Sequence, residues 1–391
     1  MKEIKLGIIG IGNIGLSHAN CIAKGEIKGL TLTAVCDINT EKTASFHKMY
    51  ENVSIFSDYN DMFKSKEIDA VIISVPHPLH AEIAINALKS GLHVLLEKPA
   101  DISVSRVKKL NELADKTDKT FAIMFNQRTN PLFAKAREIV KSGKLGELKR
   151  TVWIVTNWYR TQSYYDSGDW RATWAGEGGG VLLNQAPHNL DLWQWICGMP
   201  ESITAFCDRA KFHDIEVEDD VTIFARYKNG ATGVFITSTG EYPGTNRLEI
   251  CGTKGKIVLE DGILKHWRLN VDEREIYKSS KENSPFIEYD YSETKQDEAE
   301  KAHKGILQNF ANAVLYGEEL ISSGKEGIFE LAISNAAYLS QWKGNAEIRI
   351  PFDCNEFDRL LDEKIAHSEY KSINTVKSSD GEYSKRWRVN W

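Results

Sequence analysis

The chain has 391 residues and a formal charge of −6, more length than one small core usually organises and no basic surplus for nucleic acid, so two domains and no nucleic-acid partner are expected. No apolar run is long enough to cross a membrane. Cys21, Cys36, Cys197, Cys207, Cys251 and Cys354 lack Cys-x-x-Cys spacing, which argues against a disulfide frame and against a metal site.

The first apolar run, 4–9, leads directly into Gly10-Ile11-Gly12-Asn13-Ile14-Gly15. A chain that enters a buried strand at once leaves no room for a cleavable signal peptide, and with scattered cysteines this points to the cytoplasm. Gly10 lets the chain turn off the strand, Gly12 lets a pyrophosphate approach the backbone, and Gly15 lets the next helix pack closely. The free N–H groups of that helix would face the phosphates. A second apolar run, 32–36, ends on Asp37, placed to hold the adenine-ribose hydroxyls. Its charge repels the extra phosphate of NADP, and Ile38-Asn39-Thr40 supplies no arginine to receive it. NAD is therefore expected over NADP, with Lys42 the one nearby cation that speaks for the latter. A glycine turn alone is common; strand, glycines, helix, strand and acid in order favour a dinucleotide.

Further apolar runs at 71–75, 93–96 and 121–125 alternate with amphipathic stretches at 81–89 and 104–116, the pattern of a parallel sheet covered on both faces. The pattern changes after Pro131. A helix over 132–141 and a strand-like stretch over 148–159 precede an aromatic, Gly-rich segment and a helix over 181–196. Strand candidates then follow closely at 221–227, 232–237, 247–251 and 256–259, punctuated by Asn229-Gly230 and Asp261-Gly262. Helices return at 303–316 and 324–341. The expected architecture is an α/β Rossmann domain over 1–125, an α+β domain with a large, open, mainly antiparallel sheet over 126–351, and a tail over 352–391. The charged stretch 278–301 reads as a surface loop. The tail ends Arg386-Trp387-Arg388-Val389-Asn390-Trp391, and its tryptophans leave docking open as an alternative to disorder.

Three features carry chemistry. Lys98, in Glu97-Lys98-Pro99, ends the fifth parallel strand, where open α/β sheets bind ligands. A nearby oxidised nicotinamide and partial desolvation would both lower its pKa towards that of a useful base; the plain alternative is an exposed lysine. In Gly178-Gly179-Gly180-Val181-Leu182-Leu183-Asn184-Gln185-Ala186-Pro187-His188-Asn189-Leu190-Asp191, residues Asn184, His188 and Asp191 recur at helical spacing. Pro187 suggests that the regular helix begins there. His188 is placed to relay a proton and Asn184 to orient it or bind a hydroxyl, unless the histidine is structural. Finally Trp153, Trp158, Tyr159, Tyr164, Tyr165, Trp170 and Trp174 are interleaved with Arg160, Asp169 and Arg171. Indoles stack on sugar rings and guanidinium groups donate to hydroxyls; the alternative is a core wall.

Together these segments resemble the glucose–fructose oxidoreductase/inositol dehydrogenase (Gfo/Idh/MocA) family over roughly residues 3–350. Pro76 with His80, and Asn126-Gln127-Arg128, add to the likeness. The resemblance implies a Rossmann domain joined to an open-sheet domain, through which homo-oligomers, dimers or tetramers, form. It implies oxidation of a sugar or cyclitol hydroxyl with NAD(P), Lys98 as catalytic lysine and His188 as acid/base partner. The cofactor set is Gly10, Gly12, Asn13, Ile14, Gly15, Asp37, Ser74, Pro76, His80, Glu97, Lys98 and Gln127. The substrate set is Lys98, Arg128, Trp158, Arg160, Tyr164, Trp170, Arg171, Trp174, Asn184 and His188. Two departures stand out: Asn184 replaces a frequent aspartate, so the relay lacks a carboxylate, and His77 replaces a frequent asparagine. The expected reaction is dehydrogenation of a sugar, cyclitol or glycoside, in the last case at C3. The alternatives are a glycosidase or lyase that recycles bound NAD, and a non-catalytic NAD and sugar sensor.

Overall fold

The computed structural model describes residues 3–296 and 301–369. The chain divides into two compact units, 1–129 with 301–331, and 130–300 with 332–391. The terminal tryptophan segment lies outside the described residues.

The first unit is built on six parallel strands: β1 (Ile4–Ile9), β2 (Leu30–Cys36), β3 (Ser54–Phe56), β4 (Ala70–Ile73), β5 (His93–Leu96) and β6 (Phe121–Ile123), in the order β3-β2-β1-β4-β5-β6. Their near-continuous burial is what a sheet covered on both faces demands. Register decides what lies at its carboxyl edge. Ile9 pairs with both Cys36 and Ile73, and Leu96 with both Ile73 and Ile123. Gly10, Asp37, Ser74 and Glu97-Lys98 therefore leave the sheet at one level, and the order reverses between β1 and β4, where such sheets take ligands.

The segment 301–331 belongs to this unit rather than to the second domain, where the sequence pattern had grouped it. Ile306, Leu307, Phe310 and Ala311, from the helix Ala302–Tyr316, share one core with Ile4, Leu30 and Val35. An amphipathic helix announces that it covers a core but not which one.

The second unit carries a nine-stranded sheet ordered β14-β13-β12-β11-β7-β10-β9-β8-β15. Its strands are β7 (Leu148–Val155), β8 (Ser202–Arg209), β9 (Glu218–Arg226), β10 (Thr232–Ser238), β11 (Asn246–Gly252), β12 (Gly255–Glu260), β13 (Ile263–Leu269), β14 (Tyr289–Lys295) and β15 (Ile348–Arg349). All neighbours are antiparallel except β7 with β10. β14 corrects the loop expected over 278–301: it is an exposed edge strand whose charges deter further pairing. On one face Trp153 and Phe235 pack with Phe133 and Trp193, which docks the helices Pro131–Lys141 and Pro187–Cys197 on the sheet. Among the described residues no helix is long and apolar enough to cross a membrane.

Candidate active site

Gly10 has φ +83°, and a Cβ there would lie 2.5 Å from the Ser74 carbonyl oxygen. At Gly15 it would lie 1.9 Å from the Gly10 carbonyl oxygen. Gly12 is the opposite case. It caps the helix Asn13–Ala23, and nothing lies within 4 Å of its would-be Cβ. Open space over the unpaired N–H groups of Asn13, Ile14 and Gly15 is what a pyrophosphate requires. Asp37 braces this turn: its two carboxylate oxygens accept the N–H groups of Ile11 at 2.9 Å and Asn39 at 2.8 Å. The Ser74 hydroxyl donates to the Gly10 carbonyl at 2.8 Å. Beyond β6, Asn126 Oδ1 and Gln127 Oε1 are buried with no hydrogen-bond partner among the described residues. The cradle, the acid and these orphaned acceptors fit a dinucleotide.

Lys98 is half-buried, and what surrounds it was only partly foreseen. Glu97 is 6% exposed. One of its oxygens meets His18 Nε2 at 2.8 Å; the other accepts the Lys98 backbone N–H at 3.2 Å. The His303 ring lies against His18 with centroids 5.6 Å apart. Burial would raise the Glu97 carboxyl, but the His18 hydrogen bond and the neighbouring cations outweigh it and hold it down at about 2. Burial lowers His303 to about 4. His80 is also buried, its ring nitrogens on the carbonyls of Pro99 at 2.7 Å and Val75 at 2.8 Å; burial lowers its pKa although both carbonyls oppose that. Glu97 and His80 thus bond protein atoms and fix the Lys98-Pro99 turn. His18 is the residue the sequence reading missed, and it was findable: three positions after Gly15, it shares the helix face that packs on the sheet. Arg128, assigned to substrate, has its guanidinium held inside the first unit by Glu326 and by the Ile321 carbonyl at 3.2 Å. It braces the returning segment 301–331.

In the second unit the triple glycine is a steric necessity. A Cβ at Gly179 would meet the Tyr338 hydroxyl at 2.2 Å, and one at Gly180 the Glu218 carbonyl oxygen at 2.0 Å. Glu218 then takes three successive N–H groups. Its carboxylate accepts from Gly180 at 2.9 Å and Leu182 at 3.0 Å, and its carbonyl from Val181 at 3.1 Å. The Tyr338 hydroxyl donates to the same carboxylate at 2.8 Å. Burial pushes the Glu218 carboxyl up to about 7, against the pull of these donors. The regular helix starts at Pro187, as its proline implied, with His188 second and buried. Asn184 lies in the preceding turn, its N–H on the Gly180 carbonyl at 3.0 Å, outside the regular helix that carries His188 and Asp191.

The aromatic segment splits. Trp158 has no exposed surface and donates its indole N–H to Asn189 at 3.3 Å, and Trp174 donates to the Glu216 carbonyl and packs on Tyr338 and Trp342. Both, assigned to substrate, are core residues that hold the start of the helix Pro187–Cys197 and the glycine segment. The others come together. The Tyr164 hydroxyl accepts from Arg171 at 3.0 Å, Asn184 at 3.2 Å and Gln185 at 3.3 Å. Guanidinium groups of Arg160 and Arg171 lie over its ring, and Arg171 also over Trp170. The acid missing at position 184 enters from elsewhere: the Glu177 carboxylate bonds the Asn184 amide.

Residues 4–125 match the model of the oxidoreductase family with an NAD-binding Rossmann fold, and residues 133–258 match the GFO/IDH/MocA C-terminal domain. The chain is 26% identical over 340 residues to the myo-inositol 2-dehydrogenase of Thermotoga maritima, covering 85% of this chain and 95% of that protein. It is 25% identical over 345 residues to the uncharacterized oxidoreductase YrbE of Bacillus subtilis, covering 87% and 94%. The WlbA dehydrogenase of Bordetella pertussis, solved with NADH and UDP-GlcNAcA, superposes with a TM-score of 0.74 at 26% identity, covering 90% of this chain and all of that one. Levoglucosan dehydrogenase with NADH shares the fold at 20% identity, a TM-score of 0.74, and coverage of 90% and 100%. With a nucleotide cradle in one unit, an open sheet in the other and a family match to each, this chain belongs to the GFO/IDH/MocA family and is an NAD-binding oxidoreductase.

Proposed function

We propose that the protein is a cytoplasmic NAD-dependent dehydrogenase that oxidises a secondary hydroxyl of a sugar, glycoside or cyclitol to a ketone. The observation that carries this reading is the placement of Lys98. A buried acid fixes its backbone at the carboxyl edge of β5, level with the glycine turn and Asp37. When bound, NAD⁺ supplies the hydride acceptor. The family resemblance gives Lys98 the role of the base that takes the proton of the reacting hydroxyl, and His188 that of an acid/base partner. Arg160, Arg171, Tyr164, Trp170 and Asn184 supply donors, acceptors and aromatic faces suited to a polyhydroxylated ring. The names of the inositol dehydrogenase and the UDP-sugar-bound dehydrogenase point to rings of that kind.

The test is a panel of sugars, glycosides and inositols with NAD⁺ and NADP⁺, followed by NMR location of the new carbonyl, C3 of a pyranoside included. The expected result is NADH formation with at least one polyol and a preference for NAD⁺. Turnover without net NADH, by protein that retains its cofactor, would move the reading to transient oxidation within a lyase or glycosidase cycle. Ligand binding with no turnover would move it to a sensor.

We also infer that copies associate through the nine-stranded sheet. Its second face runs Phe206, Thr222, Ile236, Ile154 in one row and Thr204, Phe224, Val234, Val152 in the next. Phe206 is 53% exposed, and the other seven are half-buried. An apolar expanse of this kind is unusual for a monomer. Light scattering should give the mass of a dimer or tetramer, and Ile154→Lys should shift it towards the monomer; a monomeric native protein would end this inference.

A further inference from the structure

We propose that His18 is a positioning residue: it holds the Glu97 carboxylate, as an anion, against the Lys98 turn, where that charge supports Lys98 as a base. This rests on the dehydrogenase reading. All the residues concerned belong to the first unit, with His18 and Glu97 buried and His303 half-buried. They come from three separate stretches of chain: the helix that opens on the glycine turn, the end of β5, and the helix Ala302–Tyr316.

Burial alone would protonate the Glu97 carboxyl. Two donors stand against it. His18 Nε2 lies 2.8 Å from one oxygen, and the Lys98 backbone N–H donates to the other at 3.2 Å. With the His18 hydrogen bond foremost and the neighbouring charges of His18, His303 and Lys98 behind it, the acid stays ionised down to about pH 2. An ionised carboxylate only accepts, so the His18 nitrogen that faces it carries a hydrogen in either charge state of the ring. His303 lies against the His18 ring with the planes tilted by 55°, and burial keeps it neutral down to about pH 4. His80, whose ring also feels the Glu97 charge, has both nitrogens on the carbonyls of Pro99 and Val75. His18 is therefore the donor on which the charge of Glu97 chiefly depends. That charge acts on Lys98 in turn, because coupling is reciprocal: if the lysine cation lowers the acid, the carboxylate stabilises the lysine cation by the same energy. A lysine that takes a proton from a hydroxyl becomes that cation.

Three variants separate the parts. His18→Phe removes the donor and leaves burial to act on Glu97, which then takes up a proton. Glu97→Gln removes the charge outright. Each should lower kcat/KM about tenfold or more and move its acid limb to lower pH, since a lysine without a neighbouring anion is the weaker base. His18→Gln keeps an N–H donor towards Glu97 and should restore most of the rate and the native limb. Melting requires no substrate. In His18→Phe the folded chain holds a proton that the unfolded chain releases, so its stability declines as pH rises from about 5 to about 7. The gap in melting temperature from the native protein should widen over that range, and should not widen in His18→Gln. A constant gap for His18→Phe would overturn the dependence of Glu97 on His18. A widening gap with the acid limb unmoved in both His18→Phe and Glu97→Gln would overturn the support of Lys98. His18→Gln as impaired as His18→Phe would overturn the donor role. If the gap widens as expected but the native protein oxidises no polyol, the dehydrogenase reading falls and takes the catalytic consequence with it, while the His18–Glu97 pair stands.

Discussion

Lys98→Ala should lower turnover about a thousandfold, the range in which a positioned acid/base group acts, while NADH affinity changes by about threefold or less. The separation of the two effects follows from what holds the turn. The framework around Lys98 is not the lysine side chain. It is the Glu97 carboxylate on His18 and on the Lys98 backbone N–H, together with His80 between two carbonyls. Truncation beyond Cβ leaves those bonds in place, so the cradle at Gly12 and the brace at Asp37 persist. Lys98→Arg divides the question further. Arginine keeps the positive charge but does not release its proton, so it restores what the charge does for binding and nothing of what a base does. Fluorescence titration with NADH and steady-state NADH formation report the two effects separately. A Lys98→Ala enzyme that still turns over, or one that loses NADH along with activity, contradicts the role.

The nucleotide half was legible because its contacts are local in pattern. Strand, glycine turn, helix and acid follow each other within forty residues, and register then aligns their ends. The buried polar cluster of the second unit was harder. Glu218 stands in Glu218-Asp219-Asp220, and three consecutive acids look like solvated chain; in fact Glu218 is buried against the glycine loop through partners as distant in sequence as Tyr338. Glu177 sits among glycines that suggest a flexible loop, yet it is 1% exposed. Trp158 and Trp174 misled in the opposite direction, since the same ring that can stack on a sugar fills a core more often. The return of 301–331 to the first unit left no local trace at all. Propensity and periodicity state that a side chain is buried; which distant partner it meets depends on the assembled fold.

Glu218→Ala should cost about 3–4 kcal/mol of stability, lowering the melting temperature by about 10 °C. The loss is not one of packing. Truncation strips acceptors from the N–H groups of Gly180 and Leu182 and from the Tyr338 hydroxyl, all in a region without exposed surface. Each buried donor left unmatched costs about 1–3 kcal/mol, and partial rearrangement or an entering water recovers part of the sum. Tyr338→Phe removes only one of these partners and should cost about 1 kcal/mol. The penalty should also depend on pH, with a sign fixed by linkage. Burial raises the folded carboxyl from 4.5 to about 7, so between those values the folded chain holds a proton that the unfolded chain has released. Stability from this group is therefore greatest near pH 4.5 and declines as pH rises towards 7. The alanine variant lacks that slope, so the gap between the two proteins should narrow over the same window. Calorimetric melting of both proteins across it measures the gap directly. A constant gap would mean that Glu218 is ionised in the fold throughout, and a gap below about 1 kcal/mol would mean that the glycine segment leading to His188 holds its shape without it.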